Sequence, residues 1–171
     1  MTSRREILRA GLAATALPLT GAALALPSER VDAVALYKVL YDTRFPESVA
    51  FAARAAEHGR AVHAMRGDVT RFWYDDLYHR WREGPTAIAG LTAYGALFCL
   101  EQLAWDQRMR VVFRAEHTAG TAVGREWARA MADAVVHCPR TQRAAVGTDD
   151  ASFGADAEKL YSWVIARPER V

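Results

Sequence analysis

Lysine, cysteine and cofactor-binding motifs are scarce or missing in this chain, and each shortage excludes something. Lys38 and Lys159 are the only lysines, so almost all positive charge is arginine. No basic stripe interleaved with aromatic residues is present, which leaves no case for nucleic-acid binding. Cys99 and Cys138 are the only cysteines. Neither sits in a CxxC pair or a CxxCH haem site, which argues against redox-pair chemistry and covalent haem. The histidines, His58, His63, His79, His117 and His137, are scattered without HExxH or zinc spacing, so no metal site is expected. No GxGxxG follows the first strand, and Gly90-Leu91-Thr92-Ala93-Tyr94-Gly95 lacks the Lys-Ser/Thr of a phosphate loop. No serine sits in a GxSxG elbow, and Cys99 between Phe98 and Leu100 is poorly placed as a nucleophile. The sequence therefore implies no bound cofactor and no nucleophilic enzyme.

What is there begins at the N-terminus. Ser3-Arg4-Arg5-Glu6-Ile7-Leu8-Arg9 is followed by an uncharged run of Ala, Leu, Gly and Thr from Ala10 to Leu26, with Pro18 inside it. This run is too short and too weakly apolar for the roughly 20 strongly apolar residues of a spanning helix. Ala23-Leu24-Ala25 supplies a small-x-small cleavage pattern, with Pro27 just beyond. The paired Arg4 and Arg5 with their apolar run resemble a bacterial twin-arginine (Tat) export signal. The resemblance covers residues 1–25 only. It implies passage through the Tat translocase as a folded protein and a periplasmic location; an uncleaved signal anchor is the alternative.

Residues 26–171 then form the mature chain, read as a single domain with a less regular tail from about 139. Removing Arg4, Arg5, Arg9 and Glu6 from 22 basic and 20 acidic residues leaves nineteen of each. The mature surface is thus balanced. An oxidising compartment would let the two cysteines pair, although Leu97-Phe98-Cys99-Leu100 also reads as the setting of a buried free thiol.

Along the mature chain, short apolar runs alternate with helical patterns. Strands are expected at 35–41, 60–65, 86–91 and 110–115, the second weakened by His63. Helices are expected from Pro46 to Glu57, stopped by Gly59, from Val69 to Arg82, stopped by Gly84-Pro85, from Thr92 to Ala104, and from about Gly124 to Val136. Val69, Phe72, Trp73, Leu77 and Trp81 define the buried face of the second helix. Residues 141–154 read as loop, and 160–166 is an apolar element of undetermined type. This alternation predicts an α/β fold, a small three-layer sandwich with a mainly parallel sheet of about four to five strands. An α+β arrangement with hairpins is the alternative.

In open α/β sheets, ligands bind at the carboxyl ends of the strands. That edge would carry Asp42, Arg44, Arg66, Asp68 and Thr92 as ligand-binding residues, and Glu116 with His117 as a catalytic pair. Arg44 and Arg66 could share an anionic small molecule, and His117 is of the residue type best suited to general acid–base work near neutral pH. The same residues also read as ordinary local structure, with Asp68 and Thr92 as helix caps and Arg44 paired with Asp42 or Glu47. Tyr74 and Tyr78, four apart on a second face of their helix with Arg82 nearby, suggest either a docking surface or the wet edge of the core.

Two roles follow. A Tat leader on a chain without cofactor motifs suggests an accessory subunit or binding protein, travelling with a larger exported redox subunit that holds the cofactor. The strand-end residues suggest instead a small periplasmic enzyme or ligand-binding domain, with His117 as acid–base.

Overall fold

A computed structural model describes residues 33–121, 123–140, 144–145 and 158–168. The export leader and nearly all of the loop expected at 141–154 lie outside the described residues. The chain runs through β1 (Leu36–Asp42), α1 (Pro46–Glu57) and β2 (Val62–Met65), then into one helical rod. The rod comprises α2 (Thr70–Phe72), a π-helical turn (Trp73–Leu77) and α3 (Tyr78–Glu83). It is followed by β3 (Ala87–Ala93), α4 (Tyr94–Asp106), β4 (Arg110–Thr118), α5 (Gly124–Val136), β5 (Ala144–Ala145) and β6 (Lys159–Ala166). Pro46 opens α1, where its missing N–H is not needed, and Gly59 beyond its end takes φ +71°, a conformation most side chains resist.

The fold is α/β. The strands form one six-stranded sheet in the order β2-β1-β3-β6-β4-β5. β1 pairs parallel with β2 and β3, and β4 with β5, while β6 is antiparallel to both β3 and β4. The expected mainly parallel sheet is therefore mixed. The reason is the apolar element at 160–166, which returns as β6 between β3 and β4. Its residues Leu160, Trp163, Val164 and Ile165 are all fully buried. β2 lies at the sheet edge, and its weak apolar pattern fits that place.

Side chains alternate across the sheet into two cores. Val39, Leu91, Ala115 and Val164 face α1 and α5, where they meet Phe51, Ala55, Ala128 and Ala132. Leu40, Ile88, Trp163 and Ile165 face the opposite layer and meet Phe72, Leu77, Trp81, Leu97 and Leu100. The result is a three-layer sandwich. Gly90 is needed at its centre: a Cβ there would lie 2.7 Å from the Leu40 carbonyl oxygen and 2.7 Å from the Trp163 ring.

Four local expectations change. The inward residues of the rod are Val69, Phe72, Leu77 and Trp81, with Trp73 only partly buried. The step of five between Phe72 and Leu77 is taken up by the π turn, whose wider coil keeps both side chains inward. Thr92 is not a helix cap: it belongs to β3, and Ala93 precedes α4. Glu116, His117 and Thr118 do not end β4 as a turn but continue it, opposite Tyr161, Leu160 and Lys159 of β6. Cys99 is exposed and Cys138 buried, and neither is in a disulfide. Leu97 and Leu100 take the inner face of α4, which turns Cys99 outward.

Candidate functional site

The carboxyl ends of β1, β2, β3 and β4 share one edge of the sheet, joined there by the start of β6. Polar residues are buried at this edge: Asp42, Glu47, Ser48, Thr92 and Ser162 are each at most 2 % exposed. Most bind one another or the local backbone. The Asp42 carboxylate accepts from the Arg44 backbone N–H at 3.1 Å and from Arg44 Nη2 at 2.6 Å. Ser48 Oγ accepts from the Asp42 N–H at 2.9 Å and donates to the Leu91 carbonyl, which ties α1 to β1 and β3. Arg44 lies flat against Gly67, where a Cβ would come within 2.9 Å of the guanidinium. Thr92 Oγ1 accepts from Trp163 Nε1 at 3.1 Å and donates to the Ala93 carbonyl.

Strand alternation separates the expected catalytic pair. Glu116 accepts from the Tyr161 hydroxyl at 3.1 Å and forms an ion pair with Lys159. The Lys159 ammonium holds the Glu116 carboxyl below the usual carboxylate range, against a smaller opposing effect of burial. Tyr161 packs on the α4 side of the sheet. His117 belongs to the other face, its ring stacked 4.3 Å from Trp127 of α5. A 2.8 Å hydrogen bond joins His117 Nε2 to Ser162 Oγ. Glu116 and His117 are therefore neighbours in sequence that serve different layers.

Asp68 is exposed, and its Oδ1 accepts from both the N–H and the hydroxyl of Thr70, at 2.8 and 2.7 Å. The Thr70 hydroxyl, and then its N–H, lower the Asp68 pKa. Asp68 thus serves the local backbone as the alternative reading expects, but one residue ahead of the helix cap, which is Val69. Arg66 is exposed and makes no ion pair or side-chain hydrogen bond among the described residues. The edge thus holds together Asp42 with Arg44, Thr92 with Trp163, and His117 with Ser162, but not all of them around one ligand.

The sequence assigns no role to Ser162 and offers Glu47 only as a partner for Arg44, a place that Asp42 takes in the fold. Ser162 lies in the segment whose type the pattern left open, so its meeting with His117 could not be read. Glu47 sits in the first turn of α1, where an acidic residue is unremarkable. In the fold it is buried, with Oε1 accepting from the Gly120 N–H at 2.7 Å and Oε2 without a hydrogen-bond partner among the described residues. Gly124 packs against it, because a Cβ there would lie 2.7 Å from Oε1.

Two concavities flank the β2–α2 connection. A groove of about 400 Å³ runs between it and α4, lined by Trp73, Tyr74, Phe98, Cys99, Gln102 and Leu103 among others. A smaller cavity of about 290 Å³ is lined by Thr43, His63, Met65, Arg66, Arg71 and Phe72, with Ala64 and Asp68 also contributing. Around the groove, Tyr74, Tyr94 and Phe98 are exposed, and Trp105 is exposed two turns beyond Phe98 on α4. Among the described residues, no group of three or more His, Cys, Asp or Glu side chains is placed to hold a metal. No described helix is long and apolar enough to cross a membrane. No protein-family model, curated protein or solved structure matches this chain.

Proposed function

We propose that this protein is an exported, periplasmic accessory subunit or binding protein, which acts by docking to a larger cofactor-bearing redox subunit rather than by catalysis. One contrast carries the reading. The strand-end polar groups are largely spent on the fold itself, whereas large aromatic side chains stand in water around the groove. Tyr74 is 64 % exposed, Tyr94 50 % and Phe98 46 %. Aromatic residues exposed together on one face are typical anchors of protein interfaces. The export half rests on the resemblance of residues 1–25 to a Tat leader, a route that carries folded cargo.

Phe98→Asp tests the docking face. Its side chain is exposed, so the variant keeps its fold and melting temperature. A tagged variant recovered from the periplasm is expected to lose its second chain, with affinity reduced about tenfold or more. Unchanged recovery of that chain would refute this face. The second reading, a small enzyme or ligand-binding domain at the strand ends, is favoured by the short contact between His117 and Ser162.

A further inference from the structure

The smaller cavity beside β2 shares only Asp68 with the lining of the groove, and its own lining has a definite chemistry. Met65 of β2 and Phe72 of the rod are both buried and form its floor. His63 stands two residues before Met65 on the same side of the strand, its ring 4.6 Å from Phe72. Thr43, just past β1, is tied to β2 because both its N–H and its hydroxyl donate to the Met65 carbonyl, at 2.9 and 3.2 Å. Gly67, at φ +77°, turns the chain immediately after Arg66. Arg71 follows one helical residue into the rod.

The charges around this cavity are unequal. Arg66 has no ionic partner among the described residues. Arg71 has only Asp75, at 3.7 Å, with both side chains mostly in water. Such an exposed pair holds an arginine weakly. The one carboxylate on the lining, Asp68, already has its Oδ1 taken by the two Thr70 donors. Two guanidinium groups are thus available against one partly engaged acid. The cavity lies at the carboxyl ends of two parallel strands, the edge where α/β sheets take ligands.

We propose that this cavity binds the oxyanion group, phosphate or carboxylate, of a small molecule, held by Arg66 and Arg71 with His63 lining its inner wall. Planar guanidinium groups match such anions through paired hydrogen bonds. Burial, and then the nearby Lys38 ammonium, hold the His63 pKa below its usual value, while Asp76 pulls the other way. The ring therefore stands neutral at pH 7 and serves as a local reporter. The expectation that Arg44 shares the ligand with Arg66 is replaced here by Arg71, since Arg44 is committed to Asp42.

The test uses the purified full mature protein, titrated separately with inorganic phosphate and with acetate at constant ionic strength. The ring signals of His63 and the Nε–H signals of the arginines are followed by NMR. A saturable shift of His63 and Arg66 is expected with at least one anion. Arg66→Gln and Arg71→Gln should each weaken it about tenfold or more. Arg82→Gln, which removes the same charge at a distance from the cavity, should leave affinity within about twofold. All three side chains are exposed or partly so, and equal melting temperatures confirm intact folds. Absence of a saturable shift with either anion would overturn the proposal, as would an equal loss in Arg82→Gln. A phosphate-only or acetate-only response supports it and names the headgroup.

Discussion

His117 is held from two sides, by the face of Trp127 at 4.3 Å and by Ser162 Oγ at 2.8 Å. Ser162 is fully buried near the start of the interior strand β6, between Leu91 of β3 and Ala115 of β4. A buried hydroxyl that loses its partner costs stability, so the contact is worth more to the fold than its single bond suggests. His117→Ala is expected to lower unfolding free energy by about 1–3 kcal/mol, read from the denaturant midpoint. On the accessory reading, partner affinity stays within about twofold, because Tyr94 and Phe98 lie on the other face of the sheet. Loss of a measured activity with the fold intact would instead favour the enzyme reading. Sequence alone could not weigh this residue. It gave His117 at a strand end beside Glu116, but the burial of Ser162 depends on where β6 inserts.

The helical rod of residues 70–83 shows what a single added residue does to an element. Its π turn lets Phe72 and Leu77 both face the core, and it presents Asp76 toward β1. There the Asp76 carboxylate accepts from the Tyr37 hydroxyl at 2.6 Å and pairs with Lys38. Burial pushes the Asp76 carboxyl up, but the Lys38 and Tyr37 hydrogen bonds together outweigh it and leave the pKa below the ordinary 3.8. A carboxyl depressed in the fold stabilises it at pH values above its unfolded pKa. That contribution fades as pH falls through the lower value held in the folded state. Asp76→Asn should therefore cost about 1–2 kcal/mol at pH 7, and the gap to the native chain should close on acidification below about 3.8. Thermal melts across that range check it; a gap that widens in acid would contradict the assignment. The sequence showed this helix and both its ends, from Asp68 and Gly84-Pro85. It could not show the π turn, because Trp73, one residue after Phe72, supplies an ordinary four-residue step to Leu77 and hides the five-residue one.

For the whole molecule, the helices, the first four strands and the three layers were legible, because proline and glycine punctuate the chain and all of these strands but β2 carry a clear apolar run. The mixed sheet was not, since an apolar segment does not declare its direction. The outward turn of Cys99 was also hidden, because Leu97-Phe98-Cys99-Leu100 is apolar throughout and only packing decides which residues face in. Of the expected site, the edge was legible but its division between two faces was not. What remains exposed once the fold is assembled is an aromatic face with a groove and, beside it, an arginine-lined cavity. Docking therefore carries the proposed function. Its most direct test is to recover a C-terminally tagged chain from the periplasm of its native host, and to take intact masses and an absorption spectrum of what elutes. The docking account predicts a stoichiometric second chain with flavin or metal absorption. A lone, colourless monomer would contradict it.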